Sequence, residues 1–194
     1  MVYADILRPT VRRSALLYDA ALVLAGSLLI ALSAQIAIPL PFSPVPITGQ
    51  TMAVLLVGAL LGARRGSLAV LLYIAEGMAG LPVFAPGGAV GPARLLGPTG
   101  GYLVGFVAAA YLVGLLAERG WDRRVSTTAA AMALGNLVIY TVGVLWLTVF
   151  VGSLSAALAA GVLPFIPGDL VKIAAAALLL PAGWKVLGWS NRRS

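Results

Sequence analysis

Long apolar runs separated by short polar or Pro/Gly-rich punctuation set the pattern of this chain. Residues 20–63 and 125–168 contain no charged side chain at all. The first run is divided by Pro39-Leu40-Pro41-Phe42-Ser43-Pro44-Val45-Pro46, and no helix crosses four prolines in eight residues. The pattern predicts a first helix at about 17–38 and a second at about 49–62. Gly62-Ala63-Arg64-Arg65-Gly66 reads as a tight basic turn before a third helix at about 67–79. Residues 80–98 hold four prolines and five glycines and predict a long ordered loop. A fourth helix at about 99–117 is closed by Glu118-Arg119-Gly120-Trp121-Asp122-Arg123-Arg124, and a fifth follows at about 127–151. Gly161, Pro164 and Pro167 interrupt the chain before a sixth helix at about 168–188. A bilayer span needs about 20 residues, so the second and third helices are expected to be short or tilted, packed against neighbours. The apolar stretch after Arg12-Arg13 exceeds the roughly 7–15 residues of a signal-peptide core, and five similar segments follow it. It reads as a retained first span.

Composition supports the same class. Hydrophobic residues make up 61% of the 194, and only 10% are charged, against about 45–50% and about 25% in soluble domains. The mean hydropathy of +1.02 excludes disorder. The expectation is an all-α integral membrane protein: one domain over residues 1–194, with six transmembrane helices and no room for a second soluble unit. The chain has no Cys and no His, which excludes zinc sites, thiol nucleophiles and His-based triads. No metal ligand set and no catalytic residue is identified. The only lysines are Lys172 and Lys185, and no phosphate-binding Gly-x-x-x-x-Gly-Lys-Ser/Thr loop exists, so the chain is not itself a P-loop ATPase. The net charge of +7 does not imply nucleic acid, because the basic residues sit in small clusters between apolar runs.

Those clusters set the topology. With the N-terminus in the cytoplasm and each helix crossing once, Arg8, Arg12, Arg13, Arg64, Arg65, Arg119, Arg123, Arg124, Lys185, Arg192 and Arg193 fall inside, 11 of the 13 basic residues. Both termini are therefore expected to be cytoplasmic. The outer half keeps only Glu76, Arg94, Asp169 and Lys172, which sum to zero, and ten of the twelve prolines. Long, stiff and nearly uncharged outer loops are suited to covering a pocket.

The outer charges are the candidate chemistry. Asp169 and Lys172 stand three apart at the start of the sixth helix, on one face. They are either a helix cap with a local ion pair or a site, since ionisable groups in membrane helices usually face an interior function. Arg94, alone in an apolar loop, is either solvent-facing or a planar fork for a carboxylate. Glu76 is a lower-ranked partner for it, or reaches water. Asn136 lies one turn before Tyr140 in mid-span and needs hydrogen-bond partners, from another helix or from a ligand. Thr48 and Gln50 are capping or site groups. Ala21 and Ala25 in the first helix, and Gly101, Gly105 and Ala109 in the fourth, form small-residue faces for internal packing or for another membrane subunit.

Several motifs together resemble one family. Pro39-Leu40-Pro41-Phe42-Ser43-Pro44-Val45-Pro46-Ile47-Thr48-Gly49-Gln50-Thr51 is similar to the first outer loop of BioY, the biotin-specific substrate-binding subunit (S component) of energy-coupling factor transporters. Gly80-Leu81-Pro82-Val83-Phe84-Ala85, Gly97-Pro98-Thr99-Gly100-Gly101-Tyr102, Gly135-Asn136 with Tyr140, and Pro164-Phe165-Ile166-Pro167-Gly168-Asp169-Leu170-Val171-Lys172 resemble it in the same order, over nearly the whole chain. Gly49 departs from the larger apolar residue expected there. The resemblance implies a multi-pass subunit of a bacterial or archaeal plasma membrane that captures biotin from outside. It also implies partners: a membrane coupling (T) subunit, docked on small residues such as Ala21 and Ala25, and two cytoplasmic ATPases that use the ATP. No cofactor is expected on this chain. The implied motion is a toppling of the whole subunit. For biotin, Asp169, Asn136 and Lys172 suit the ureido ring, which offers two N–H donors and one carbonyl. Arg94 suits the valerate carboxylate with Gln50 nearby, and Tyr102, Phe84 and Tyr140 suit the apolar walls. The alternatives are an S component for another small vitamin or, in another class, an intramembrane enzyme acting on a lipid.

Overall fold

The structure, a computed structural model, describes residues 1–188; Arg192 and Arg193, assigned above to the inner side, lie outside the described residues. Its elements run α1 Arg12–Gln35, β1 Ala37–Leu40, β2 Ser43–Thr48, α2 Gln50–Leu61, α3 Ala63–Met78, α4 Pro92–Leu96, α5 Gly100–Glu118, α6 Val125–Val151, α7 Leu154–Gly161 and α8 Ile166–Val186. Four helices, α1, α5, α6 and α8, are long and apolar enough to cross a bilayer, whereas α2 has 12 residues and α3 has 16.

Four expectations need correction. The fold is not purely α-helical. The proline run forms an antiparallel hairpin with Ala37 opposite Thr48, Ile38 opposite Ile47 and Leu40 opposite Ser43, and its register is broken between Ile38 and Leu40. A two-stranded sheet has only edge strands, where prolines lacking an N–H are tolerated. The loop 80–98 carries the short helix α4, with Pro92 in its first turn. The stretch before the last helix carries α7, whose N-cap Ser153 accepts a hydrogen bond from the Ala156 N–H at 3.2 Å. The third helix also begins four residues earlier than expected. Gly62 alone makes the turn at φ 85°, and Glu118 Oε1 accepts from the Ala63 N–H at 2.8 Å, capping the helix from α5.

α5 is the central post: 67% of its span window is buried, against 28% for α1. Its small residues let neighbours approach closely. A Cβ on Gly58 would lie 2.6 Å from the Ala110 carbonyl oxygen, and one on Gly114 2.4 Å from the Ala63 nitrogen. Gly101, Gly105 and Ala109 are likewise buried, with Gly101 against Trp146 and Gly105 against Ile139. That small-residue face therefore serves internal packing. Ala21 and Ala25 are exposed on α1.

The basic end of the bundle is tied by ion pairs and aromatics. Arg65 pairs with Asp5 and, at 3.0 Å, with Asp19, which Arg8 also holds at 2.8 Å. Tyr3 stacks on Trp184 at 4.3 Å and donates to the Leu180 carbonyl. The buried Trp184 indole donates to Asp122 Oδ2 at 2.6 Å, with Arg123 over its ring. Burial pushes the Asp122 carboxyl above its ordinary pKa, against the opposing Trp184 hydrogen bond and the Arg123 charge. The folded state thus holds this proton more tightly than the unfolded chain, so stability falls as pH rises from the ordinary carboxylate value through the folded one. Asp122→Asn keeps an acceptor for Trp184 without a charge. The variant should melt above the parent at pH 7, and the gap should close at pH 3. A variant that melts at or below the parent at pH 7 counts against this account.

Candidate functional site

The opposite end holds a cleft whose empty space, counted out through its open mouth, is about 580 Å³. The hairpin supplies Val45, Pro46 and Thr48, α2 supplies Gln50 and Thr51, and α3 supplies Tyr73. Phe84, Ala85 and Arg94 come from the loop and α4, Tyr102 and Phe106 from α5, Tyr140 from α6, Phe165 from the turn before α8, and Lys172 from α8. The proline run thus becomes a wall of the site, and Gln50, four residues after it, starts α2 with its side chain in the cleft.

One side of the cleft is a closed polar cluster. Asp169 is 4% exposed. Its Oδ1 accepts from Lys172 Nζ at 3.0 Å and from Thr51 Oγ1 at 3.4 Å, and its Oδ2 accepts from the Tyr140 hydroxyl. Lys172 also donates to the Thr48 carbonyl at 3.0 Å and to Thr51 Oγ1 at 2.8 Å. All three ammonium hydrogens and both carboxylate oxygens are therefore engaged. The helix-cap reading of Asp169 fails: Phe165 is the N-cap of α8, and Asp169 sits inside the helix with its carboxylate turned toward α2 and α6. Beside this cluster, Gln50 donates to the Tyr73 hydroxyl at 2.5 Å and accepts from Thr48 Oγ1 at 3.2 Å.

Arg94 is the opposite case. It is 8% exposed, yet its guanidinium forms no hydrogen bond or ion pair with any side chain among the described residues. Burial pulls its pKa down from the ordinary value, against an opposing effect of Tyr73, but a guanidinium stays charged in proteins. Space for it is cut by Gly88, where a Cβ would lie 1.2 Å from Nη1. An unpaired buried cation facing a cleft is costly unless an anion arrives. Glu76 does not supply that anion. Its Oε1 accepts from Ser27 on α1 at 3.0 Å, and its Oε2 is buried with no hydrogen-bond partner among the described residues, so it does not pair with Arg94.

The walls between these two ends are aromatic. Phe84 meets Tyr73 edge-on at 5.5 Å between centroids and lies in a notch at Gly77, where a Cβ would fall 2.2 Å from its ring. The Tyr102 hydroxyl donates to the Gly161 carbonyl at 2.9 Å. Of the residues singled out in the sequence, Gln50, Phe84, Arg94, Tyr102, Tyr140 and Lys172 line the cleft, and Asp169 lies directly behind it. Asn136 does not line it. One turn before Tyr140 on α6, it faces a separate, smaller chamber between α2, α6 and α8. Tyr73, Thr51, Phe106 and Phe165 are lining residues that sequence reasoning missed. Hydropathy reads the aromatics as core, and Thr51 next to Gln50 was the only available signal.

Comparison with known proteins agrees with the geometry. Residues 8–189 match the BioY family. The chain is similar to a biotin transporter BioY of Rhizobium etli, 40% identical over 163 residues covering 80% of this chain and 87% of that protein. It is also similar to a biotin transporter BioY of Rhodobacter capsulatus, 45% identical over 170 residues with 80% and 87% covered. Among solved structures it is similar to the S-component for biotin from an ECF-type ABC transporter, with TM-score 0.79 and 27% identity over 91% of this chain and 95% of that one. With this family match over most of its length and relatives at 40% identity and above, the chain belongs to the BioY family of multi-pass membrane proteins.

Proposed function

We propose that this chain captures biotin at the outer cleft and delivers it as the S component of an energy-coupling factor transporter. The single observation that carries the reading is the orphan guanidinium of Arg94 across an aromatic-walled cleft from the Asp169–Lys172 cluster. Biotin has a carboxylate at one end, a ureido group at the other, and an apolar ring and chain between. In this reading Arg94 takes the carboxylate, and Asp169 and Lys172 take the ureido N–H and carbonyl, with Gln50 beside them. Phe84, Tyr102 and Tyr140 flank the apolar part.

The reading places six crossings in a plasma membrane, α2 and α3 included, with both termini and the arginine clusters inside, as the charge bias requires. The exposed Ala21 and Ala25 face a membrane coupling subunit, which two ATPases drive. The chain itself is a binding subunit with no catalytic residue. Purified in detergent, it should bind biotin saturably and reversibly, release it unaltered, and show no ATP hydrolysis. Titration calorimetry with mass spectrometry of the recovered ligand tests this. Absence of biotin binding, or a chemically changed product, overturns the reading.

A further inference from the structure

Two residues of the cleft, Thr51 and Lys172, also line the smaller chamber on the other side, so they form a partition between the two spaces. The chamber is otherwise apolar, walled by Met52, Leu55, Met132 and Ile173, except for Asn136. Asn136 is 6% exposed, its Oδ1 is enclosed, and its amide makes no hydrogen bond within the described residues. Buried amides in folded proteins are almost always satisfied, by protein or by ordered water. The chamber has room for about one water molecule, and a buried water needs two to four polar partners. Asn136 Oδ1, its amide N–H and Thr51 Oγ1 are those partners.

We propose that Asn136 holds a buried water behind the partition, and that through it Asn136 positions Lys172 and Thr51 without touching the ligand. The water donates one hydrogen to Asn136 Oδ1 and the other to Thr51 Oγ1, the same hydroxyl oxygen that accepts from Lys172 Nζ, and it accepts from the Asn136 amide N–H. In the ligand-free cleft Lys172 has all three hydrogens engaged. When a ligand carbonyl takes one of them, an existing partner is released, and the water keeps the ammonium and Thr51 from following the ligand or withdrawing. This assignment rests on the biotin reading for its functional part and on the chamber alone for its structural part.

The test has two arms. In the first, biotin affinity and melting temperature are measured for Asn136→Leu and Asn136→Ser, alone and with Thr51→Val. Leucine expels the water, so biotin should bind about tenfold more weakly while the ligand-free protein melts no lower. Serine keeps a hydroxyl and space for water and should recover most of that loss. With Thr51→Val, which removes the hydroxyl that the water holds, Asn136→Leu should add no further loss, because its effect passes through that hydroxyl. An equal loss in both backgrounds means that Asn136 contacts biotin directly, and no loss in either means that the chamber does not matter; both overturn the proposal. The second arm is a ligand-free crystal structure at a resolution that reveals solvent. A peak within hydrogen-bond reach of Asn136 Oδ1 and Thr51 Oγ1 supports the proposal, and an empty chamber overturns it. This arm needs no biotin, so a parent protein that ignored biotin would sink the transport reading without deciding the chamber.

Discussion

Arg94→Ala should weaken free biotin by one to two decades while costing an uncharged biotin amide or ester far less. A hydrogen bond to a charged group contributes about 1.5–3 kcal/mol, and about 1.4 kcal/mol is a factor of ten in affinity. What makes the experiment clean is that Arg94 has no counter-ion among the described residues, so its removal strands no other charge there. The ligand-free variant should therefore melt at or above the parent, because a buried, uncompensated cation is itself a cost. Gly88, which makes space for the guanidinium, does not compete for it. Binding of acid and amide is compared in one detergent by calorimetry. Equal losses for the two ligands, or a collapse of the ligand-free fold, would remove Arg94 from the carboxylate end.

The Asp169–Lys172 pair should behave in the opposite way. Lys172→Ala leaves Asp169, 4% exposed, without its only ionic partner among the described residues. Breaking one side of a buried pair costs about 3–5 kcal/mol, so both folding and biotin binding should suffer. Asp169→Asn should also hurt both, because its amide turns a donor toward an ammonium whose hydrogens already point there. Replacing both partners by apolar residues, Asp169→Leu with Lys172→Met, removes the desolvated charges together. The double variant should melt closer to the parent than either single change, since coupled neighbours are not additive, yet still fail to bind biotin. Melting temperatures and biotin titrations of the variants decide it. A double variant that binds biotin like the parent would end the ureido assignment.

The sequence made the helical spans legible because apolar runs and proline breaks are one-dimensional features. The six predicted segments correspond to α1, α2, α3, α5, α6 and α8, displaced by a few residues. The hairpin at 37–48 was not legible, because four prolines announce only that a helix stops. At the site, charge in an apolar setting picked out Arg94, Asp169 and Lys172. Tyr73 was invisible because an aromatic in a membrane helix looks the same whether it faces a ligand or a neighbour, and only its contacts with Gln50 and Phe84 separate the two. Asn136 was read as a polar group in need of a partner. The direction of its side chain depends on the rotation of α6 against α2 and α8, which no local pattern encodes. Glu76 was offered Arg94 on the basis of sharing an end of the molecule, and the interhelical contact with Ser27 replaced that pairing.

The closed cluster around Lys172 also bears on selectivity. With every hydrogen of the ammonium and both oxygens of the carboxylate already matched, a newcomer gains nothing there unless it replaces what it displaces. A fatty acid long enough to reach Arg94 and greasy enough for the aromatic walls brings neither donor nor acceptor to the far end, and the cluster stays shut against it. A molecule with only a carbonyl would free a carboxylate bond without refilling it. The ureido group, with N–H and C=O side by side, makes the exchange even. Discrimination then comes from the stoichiometry of donors and acceptors more than from shape, and polar recognition of that kind rejects near-isosteres far more sharply than a missing methylene can.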